Sequence, residues 1–533
     1  MQQFIQKFAD RILGILSGFD RLVLRGTVRR LNYSFHDASR NITVARGMEE
    51  YLWQNQILFK DYGDHVRKVS QRIKERSLKP FRDAGLPIIF SRDPNLDKDL
   101  LARQMAAKHG ISRGLVCAIS TLEPSPTFDY IKSRIARRTR PSHVLYQYQL
   151  HEELGWMYAR LQTWFPFNIQ IGVNGREWLS RQMDREGLKY RQTGNCFPWI
   201  EDYQRAQELL NQQLETNWVE LLQTLAQSLN PLHDEIFTRY PASYYWTCHQ
   251  SEWATDIVFD DADFLQRLMS LVIPHAMHSY RSADVLRFFG KRLNKSGAIP
   301  ANFHGELQTD YKQRQEGERV KYWMDGNSTK CYDKAYTESG NVLRAAETTI
   351  NNVKPFRSYR PKEGGAEDDL QWRTMRKGVA DLHRRTEISQ KTNERLIHAL
   401  ASVDDSRKLE ELTATLQQPT IWKQRRVRAL RPFAEDKELL AAINHGDFLI
   451  NGFRNRDLQA LLYPTPAESP KQQRYRSAAV SRKLRMLRAH GIIHKIPYTH
   501  RYQVAQDARP ILVAVLTAAR TSLNQINELN TAA

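Results

Sequence analysis

The stretch PASYYWTCHQSEWATDIVFDDADF (Pro241–Phe264) gathers His249, Glu252, Asp256, Asp260 and Asp261, with His233, Asp234 and Glu235 just upstream. Two or three such carboxylates can hold a divalent ion that activates water for phosphodiester cleavage, and Mg²⁺ or Mn²⁺ is the ion expected there. Glu252 and Asp256 are the catalytic candidates here, and Glu347 of LRAAE (Leu343–Glu347) is the third. Which groups would ligate a metal stays unassigned. The structural alternatives stay open too. Acids four residues apart decorate any exposed helix turn, and Lys334 beside Glu347 on a neighbouring strand would make an ion pair worth at most ~1 kcal/mol. Cys248 and His249 point opposite ways on a strand and cannot form a thiol dyad there. Glycine-rich phosphate loops are missing, which argues against an NTPase or a dinucleotide enzyme.

The elements that must position these groups follow from periodicity. Phe4, Phe8, Ile12, Leu16 and Phe19 recur at helical intervals and predict an N-terminal packing helix. A strand is expected around Leu22–Leu24, and GLPIIFS (Gly85–Ser91) and GLVCAIST (Gly114–Thr121) suit buried strands with a helix between them. From His143 alternation predicts three antiparallel strands, with Val144, Tyr146, Tyr148 and Leu150 on the buried face of the first. Met157, Ala159 and Leu161, then Ile169, Ile171 and Val173, supply that face in the next two. A helix from Arg176 to about Glu186 should follow. The non-core face would carry Tyr158, Arg160, Gln162, Asn168 and Gln170; arginine takes phosphate and aromatics stack on bases, whereas the plain alternative is a solvated sheet face. Helices follow, and then a second strand cluster with Asp325-Gly326 as a hairpin turn. YRPKEGGAEDD (Tyr359–Asp369) reads as a domain edge, followed by a long helix at 373–403.

Near the C-terminus KELLAAIN (Lys437–Asn444) and FRNRDLQALLY (Phe453–Tyr463) predict two helices. A third should run from about Arg476 to His490, with Val480, Leu484 and Leu487 facing the core. Gly491 stops it, and Ile492–Ile496 with Arg501–Val504 form a hairpin around Pro497-Tyr498-Thr499-His500. Helices followed by such a hairpin, over about Glu435 to Val504, resemble the winged-helix form of the helix-turn-helix. That resemblance implies that the third helix enters the major groove, with Arg474, Arg476, Ser477, Ser481, Arg482 and Arg485 toward nucleic acid and His500 and Arg501 in the wing. It also implies pairing on palindromic sites, hence a homodimer. Winged helices serve protein contacts as well.

YDK (Tyr332–Lys334) followed by LRAAE resembles the closing strands of phage and plasmid replication initiators, which places Lys334 among the nucleic-acid-binding candidates. That family's His-x-His metal pair has no counterpart in this chain; His275 and His278 are the nearest pair, at another spacing. The strings RLQTWFPFNIQIGVNGREWL and NSTKCYDK resemble those of long uncharacterised bacterial proteins, a likeness that carries no chemistry.

At 533 residues the chain exceeds one hydrophobic core, and 79 Lys+Arg against 59 Asp+Glu give a net charge of +20. Residues 421–533 carry more than half of that excess. Such charge favours polyanionic partners. The four cysteines have no paired spacing, which points to a reducing cytoplasm, and no apolar run approaches the ~18 residues a membrane span needs. The expected fold class is an α+β multidomain protein: a basic, mixed α/β unit at 1–130, central antiparallel strand clusters with helices at 131–360, a helical connector at 361–420 and the winged helix at 421–533. The expected function is nucleic-acid binding in a mobile element, plasmid or phage-derived locus. Duplex DNA is the partner of the last domain, and a further strand or structured RNA is held or processed by the body. If the chain is an enzyme, it is a nuclease, replication initiator or transposase type. The alternative is a non-catalytic transcription regulator or a structured-RNA-binding protein.

Overall fold

The computed structural model describes the chain apart from residues 32–40, 295–298, 315–316, 334–339, 363–367, 402–408, 415, 446–447, 449–451, 497–498, 506–507, 520 and 523–533. It is a mixed α/β protein of two compact units, neither continuous in sequence. The first unit comprises Met1–Leu13, Asp256–Glu347 and Lys391–Ala533; the second comprises Gly14–Thr255 and Thr348–Gln390. No helix among the described residues is long and apolar enough to cross a membrane.

The second unit is built on β1 (Ile12–Arg30), β2 (Ile88–Ser91), β3 (Gly114–Ile131), β4 (Arg134–His151), β5 (Gly155–Gln162), β6 (Ile169–Asn174) and β9 (Ala242–Phe259), in the order β9-β1-β6-β5-β4-β3-β2. A small hairpin of β7 (Tyr190–Thr193) and β8 (Cys196–Ile200) lies apart in the chain between β6 and β9. The pairs β1–β6, β5–β6, β4–β5 and β3–β4 are antiparallel, and β2 joins β3 in parallel. One face meets a large apolar cluster in which Met157, Ala159, Leu161, Ile169, Ile171 and Val173 pack with Met48, Tyr51, Val66 and Ile73. On the other, Cys117, Ile119, Tyr148 and Trp156 pack with Ala102 and Ala106 of helix Lys98–Lys108. Asp97 caps that helix, accepting from the Leu100 N–H at 3.0 Å.

Two sequence expectations change here. The N-terminal helix spans only Gln2–Lys7, and Ile12, Leu16 and Phe19 belong to β1. Gly14 explains why: a Cβ there would fall 2.1 Å from the Tyr203 ring, so the glycine serves a close approach to helix Tyr203–Asn211. The three antiparallel strands between His143 and Asn174 are present, but the face of β4 differs. Tyr148 stands opposite Tyr158 and Tyr146 opposite Arg160, so Leu145, Gln147 and Gln149 share the face of Met157, Ala159 and Leu161. β4 carries bulky residues on both faces, and alternation alone has two solutions there.

In the first unit β10 (Leu307–Arg314), β11 (Gly317–Met324), β12 (Asn327–Asp333) and β13 (Val342–Ile350, to Glu347) continue to the end of β9 in the order β10-β11-β12-β13-β9. Asp325 and Gly326 take φ of 50° and 77°, the two positive values a type I′ hairpin turn requires. The C-terminal part packs helices Lys437–Ile443, Asn455–Leu462, Pro470–Ala489 and Ala508–Ala518 around Leu440, Phe453, Leu458, Val480, Leu484, Leu487 and Leu512. Strands Ile493–Lys495 and Tyr502–Val504 form a hairpin, and Phe453 bridges to Tyr502.

Candidate nucleic-acid interface

Helix Pro470–Ala489 starts six residues before the expected position, because Ser469 caps it (Gln472 N–H to Oγ, 3.2 Å) and Pro470 fits the first turn, where no N–H is needed. Val480, Leu484 and Leu487 are buried. The opposite stripe exposes Lys471, Arg474, Ala478, Ser481, Arg482 and Arg485, spaced by three and four residues. Among the described residues Arg474, Arg482 and Arg485 take part in no ion pair. The other candidates have local work. Arg476 donates to the Thr465 carbonyl and stacks 5.1 Å from the Tyr463 ring centroid. Asn455 Nδ2 donates to the Ser477 carbonyl at 3.0 Å and to Ser481 Oγ at 2.9 Å, tying two helices together. Arg501 donates to the Gly452 carbonyl at 3.1 Å, and His500 is exposed.

The three catalytic candidates are divided between the units. In the first unit Asp256 and Glu347 are joined by Arg344, whose side chain is fully buried. Its Nε and one terminal nitrogen reach both Asp256 oxygens at 2.6 and 3.0 Å, and the other terminal nitrogen reaches Glu347 Oε2 at 2.9 Å. Lys330 Nζ stands 2.7 Å from Glu347 Oε1, and the Tyr332 hydroxyl donates to Oε2 at 2.8 Å. Burial would raise the Glu347 carboxyl, but Arg344 and Lys330 outweigh it and hold the group below its ordinary value. The cation partners of Glu347 among the described residues are therefore Lys330 and Arg344; Lys334 lies outside them.

In the second unit Glu252 sits on β9, not on a helix turn, and shares a pocket of about 580 Å³ with Asp20. Their carboxylate oxygens lie within 4.8 Å of one another. Asp20 accepts from Asn195 Nδ2 at 2.6 Å and faces the fully buried Arg176 at 3.8 Å. Nothing in FDRL marks Asp20 as part of a site; only the pairing of β1 brings it there. The pocket is floored by Tyr146, Tyr148, Trp156 and Tyr158, and helix Lys98–Lys108 supplies one wall. Trp156 Nε1 donates to Asp99 at 2.7 Å, and the Arg103 guanidinium lies 4.5 Å from the Trp156 ring centroid. Gly172 lets Tyr158 lie across β6, since a Cβ there would fall 2.0 Å from its ring.

The polar face read on the sheet is only partly open. Gln162 and Asn168 are buried, and the Gln162 amide donates to the Pro126 and Phe165 carbonyls. Tyr158, Arg160 and Gln170 remain half-buried; Gln170 donates to the Tyr158 hydroxyl at 3.0 Å, and Arg160 pairs with Glu123 at 3.0 Å. Register adds what the sequence reading omitted: Arg25 stands across Gln170 from Arg160. Cys248 is buried, its thiol pushed up by burial, while His249 is exposed on the same strand. Comparison with protein-family models, curated proteins and solved structures found no match to this chain.

Proposed function

We propose that this is a nucleic-acid-binding protein, of a mobile element, plasmid or phage-derived locus, whose C-terminal segment works as a winged helix and reads duplex DNA. The observation that carries the reading is the stripe of Arg474, Arg482 and Arg485, exposed beside small residues on a helix anchored by its apolar face. Three guanidiniums that meet no carboxylate among the described residues suit a phosphate backbone and the guanine edges of a major groove, and the chain's charge of +20 favours the encounter. Electrophoretic shifts at two salt concentrations, with duplex DNA, single strands and folded RNA, test it. Replacing the three arginines with alanine should weaken duplex binding and reduce the slope of log K against log salt by about 0.9 for each phosphate no longer neutralised. An unchanged slope, or a preference for folded RNA that survives the substitutions, removes the reading.

A second reading is metal-dependent phosphodiester chemistry, supported by the Asp20–Glu252 pair in its pocket. Supercoiled plasmid incubated with Mg²⁺ or Mn²⁺ should then be nicked by the native protein and not by Glu252→Gln. Intact plasmid, single strand and RNA after incubation with the native protein would leave binding as the whole activity.

A further inference from the structure

Arg25 occupies an unusual position for a cation. It projects from β1 on the face where Gln170 of β6 and Arg160 of β5 complete one row across three strands. Its side chain is half-buried and has no ion pair among the described residues. Burial lowers its guanidinium from the ordinary value, and Arg160 and Arg137 lower it further. His249 reports the same surroundings: burial lowers it first, and the charged groups acting on it are the cations Arg25, Lys377 and Arg385. One carboxylate, Glu123, reaches Arg160 and is shared with Lys98. Arg160 already has Glu123, which leaves Arg25 as the cation of this row without an ion pair among the described residues, in a half-buried place where a bound anion would neutralise it.

We infer that Arg25, Gln170 and Arg160 form a phosphate-binding cradle that takes a phosphodiester group of an unpaired nucleic-acid strand. One step along the same face, about 7 Å for two strand residues, lie Tyr158 and the tyrosine-floored pocket, where a base adjoining that phosphate has an aromatic surface to meet. Helix Lys98–Lys108 covers part of this face, an arrangement that suits a flexible strand better than a rigid duplex. The cradle shares with the proposed duplex reader only the polyanionic nature of the partner.

The test uses the full-length chain and Arg25→Gln, with labelled oligo(dT) and oligo(U) followed by fluorescence anisotropy and thermal melting of the free protein. Loss of a charge-assisted hydrogen bond should weaken strand binding about tenfold or more. The free variant should melt at the same temperature as the native protein or higher, because a repulsion has been removed. Arg25→Lys keeps the charge without the fork and should fall between the two. The Arg474, Arg482 and Arg485 alanine variant should lose duplex affinity and keep single-strand affinity, so failure of either site is seen separately. Undiminished strand binding by Arg25→Gln, or a lowered melting temperature, overturns the inference. Protection by inorganic phosphate in the native protein only, with no binding of either oligonucleotide, overturns the choice of a strand as ligand. A preference for oligo(U) or for oligo(dT) decides between ribose and deoxyribose strands.

Discussion

Arg344 and Arg482 belong to the same unit and carry the same guanidinium, yet their surroundings are opposite. Around Arg344 two cations, Arg344 and the partly exposed Lys330, meet two buried carboxylates, Asp256 and Glu347. Around Arg482 the neighbours on the helix stripe are Arg474, Arg485 and small residues, all in water and without acids. Arg344 finds its acceptors inside the fold, whereas the exposed arginines are solvated and open to the anionic partner proposed above. Of the two carboxylates of the first unit that looked catalytic, Asp256 has both oxygens already accepting from Arg344.

That contrast can be broken by experiment. The largest effect is expected from Arg344→Met, which removes the buried guanidinium shared by Asp256 and Glu347 and should cost about 3–5 kcal/mol in urea unfolding. A loss below about 1 kcal/mol would mean that the two acids do not depend on Arg344. Arg482→Ala and Arg485→Ala should reverse the pattern, each losing about 1–3 kcal/mol of discrimination between duplex sites while unfolding within about 0.5 kcal/mol of the native protein. Acid should also separate the regions. A carboxyl held down in the folded state, as Glu347 is, contributes stability that is complete above its unfolded value of 4.5 and lost as pH falls through the folded one. Glu347→Gln should therefore start less stable at neutral pH and show a shallower loss below pH 4.5, measured as unfolding midpoint against pH; an unaltered acid limb would show that Glu347 is not held down. The smallest effect belongs to Ser481→Ala. Its hydroxyl accepts from Asn455, so the change should cost roughly 0.5–1.5 kcal/mol of stability and leave duplex affinity as it was.

Much of the local structure was legible. The Asp325-Gly326 hairpin, the three strands from His143 to Asn174 and the buried positions Val480, Leu484 and Leu487 follow from turn chemistry and periodicity, which act over a few residues. The strands of the β3–β4 ribbon beyond Thr121 and before His143 were not legible. LEPSPTFDYIKSRIARRTRPS is rich in proline and charge, and it is strand because each half pairs with the other across Lys132-Ser133, both at positive φ. The N-terminal apolar spacing fits a helix as well as a strand, and Gly14 and Gly18 settle it only through the side chains that press on them, Tyr203 and Leu210.

The site divides in the same way. Composition and helix periodicity, by themselves, determined that a basic face exists on Pro470–Ala489, because a helix buries one stripe and exposes the other whatever surrounds it. They also selected Glu252, Asp256 and Glu347 as acids worth watching. Which acid is neutralised, which lines a pocket with Asp20, and which arginine of β1 stands across from Arg160 were decided only by tertiary structure. Those are matters of strand register and burial between residues far apart in the chain, and the sign and reach of a charge depend on what stands within a few ångströms of it.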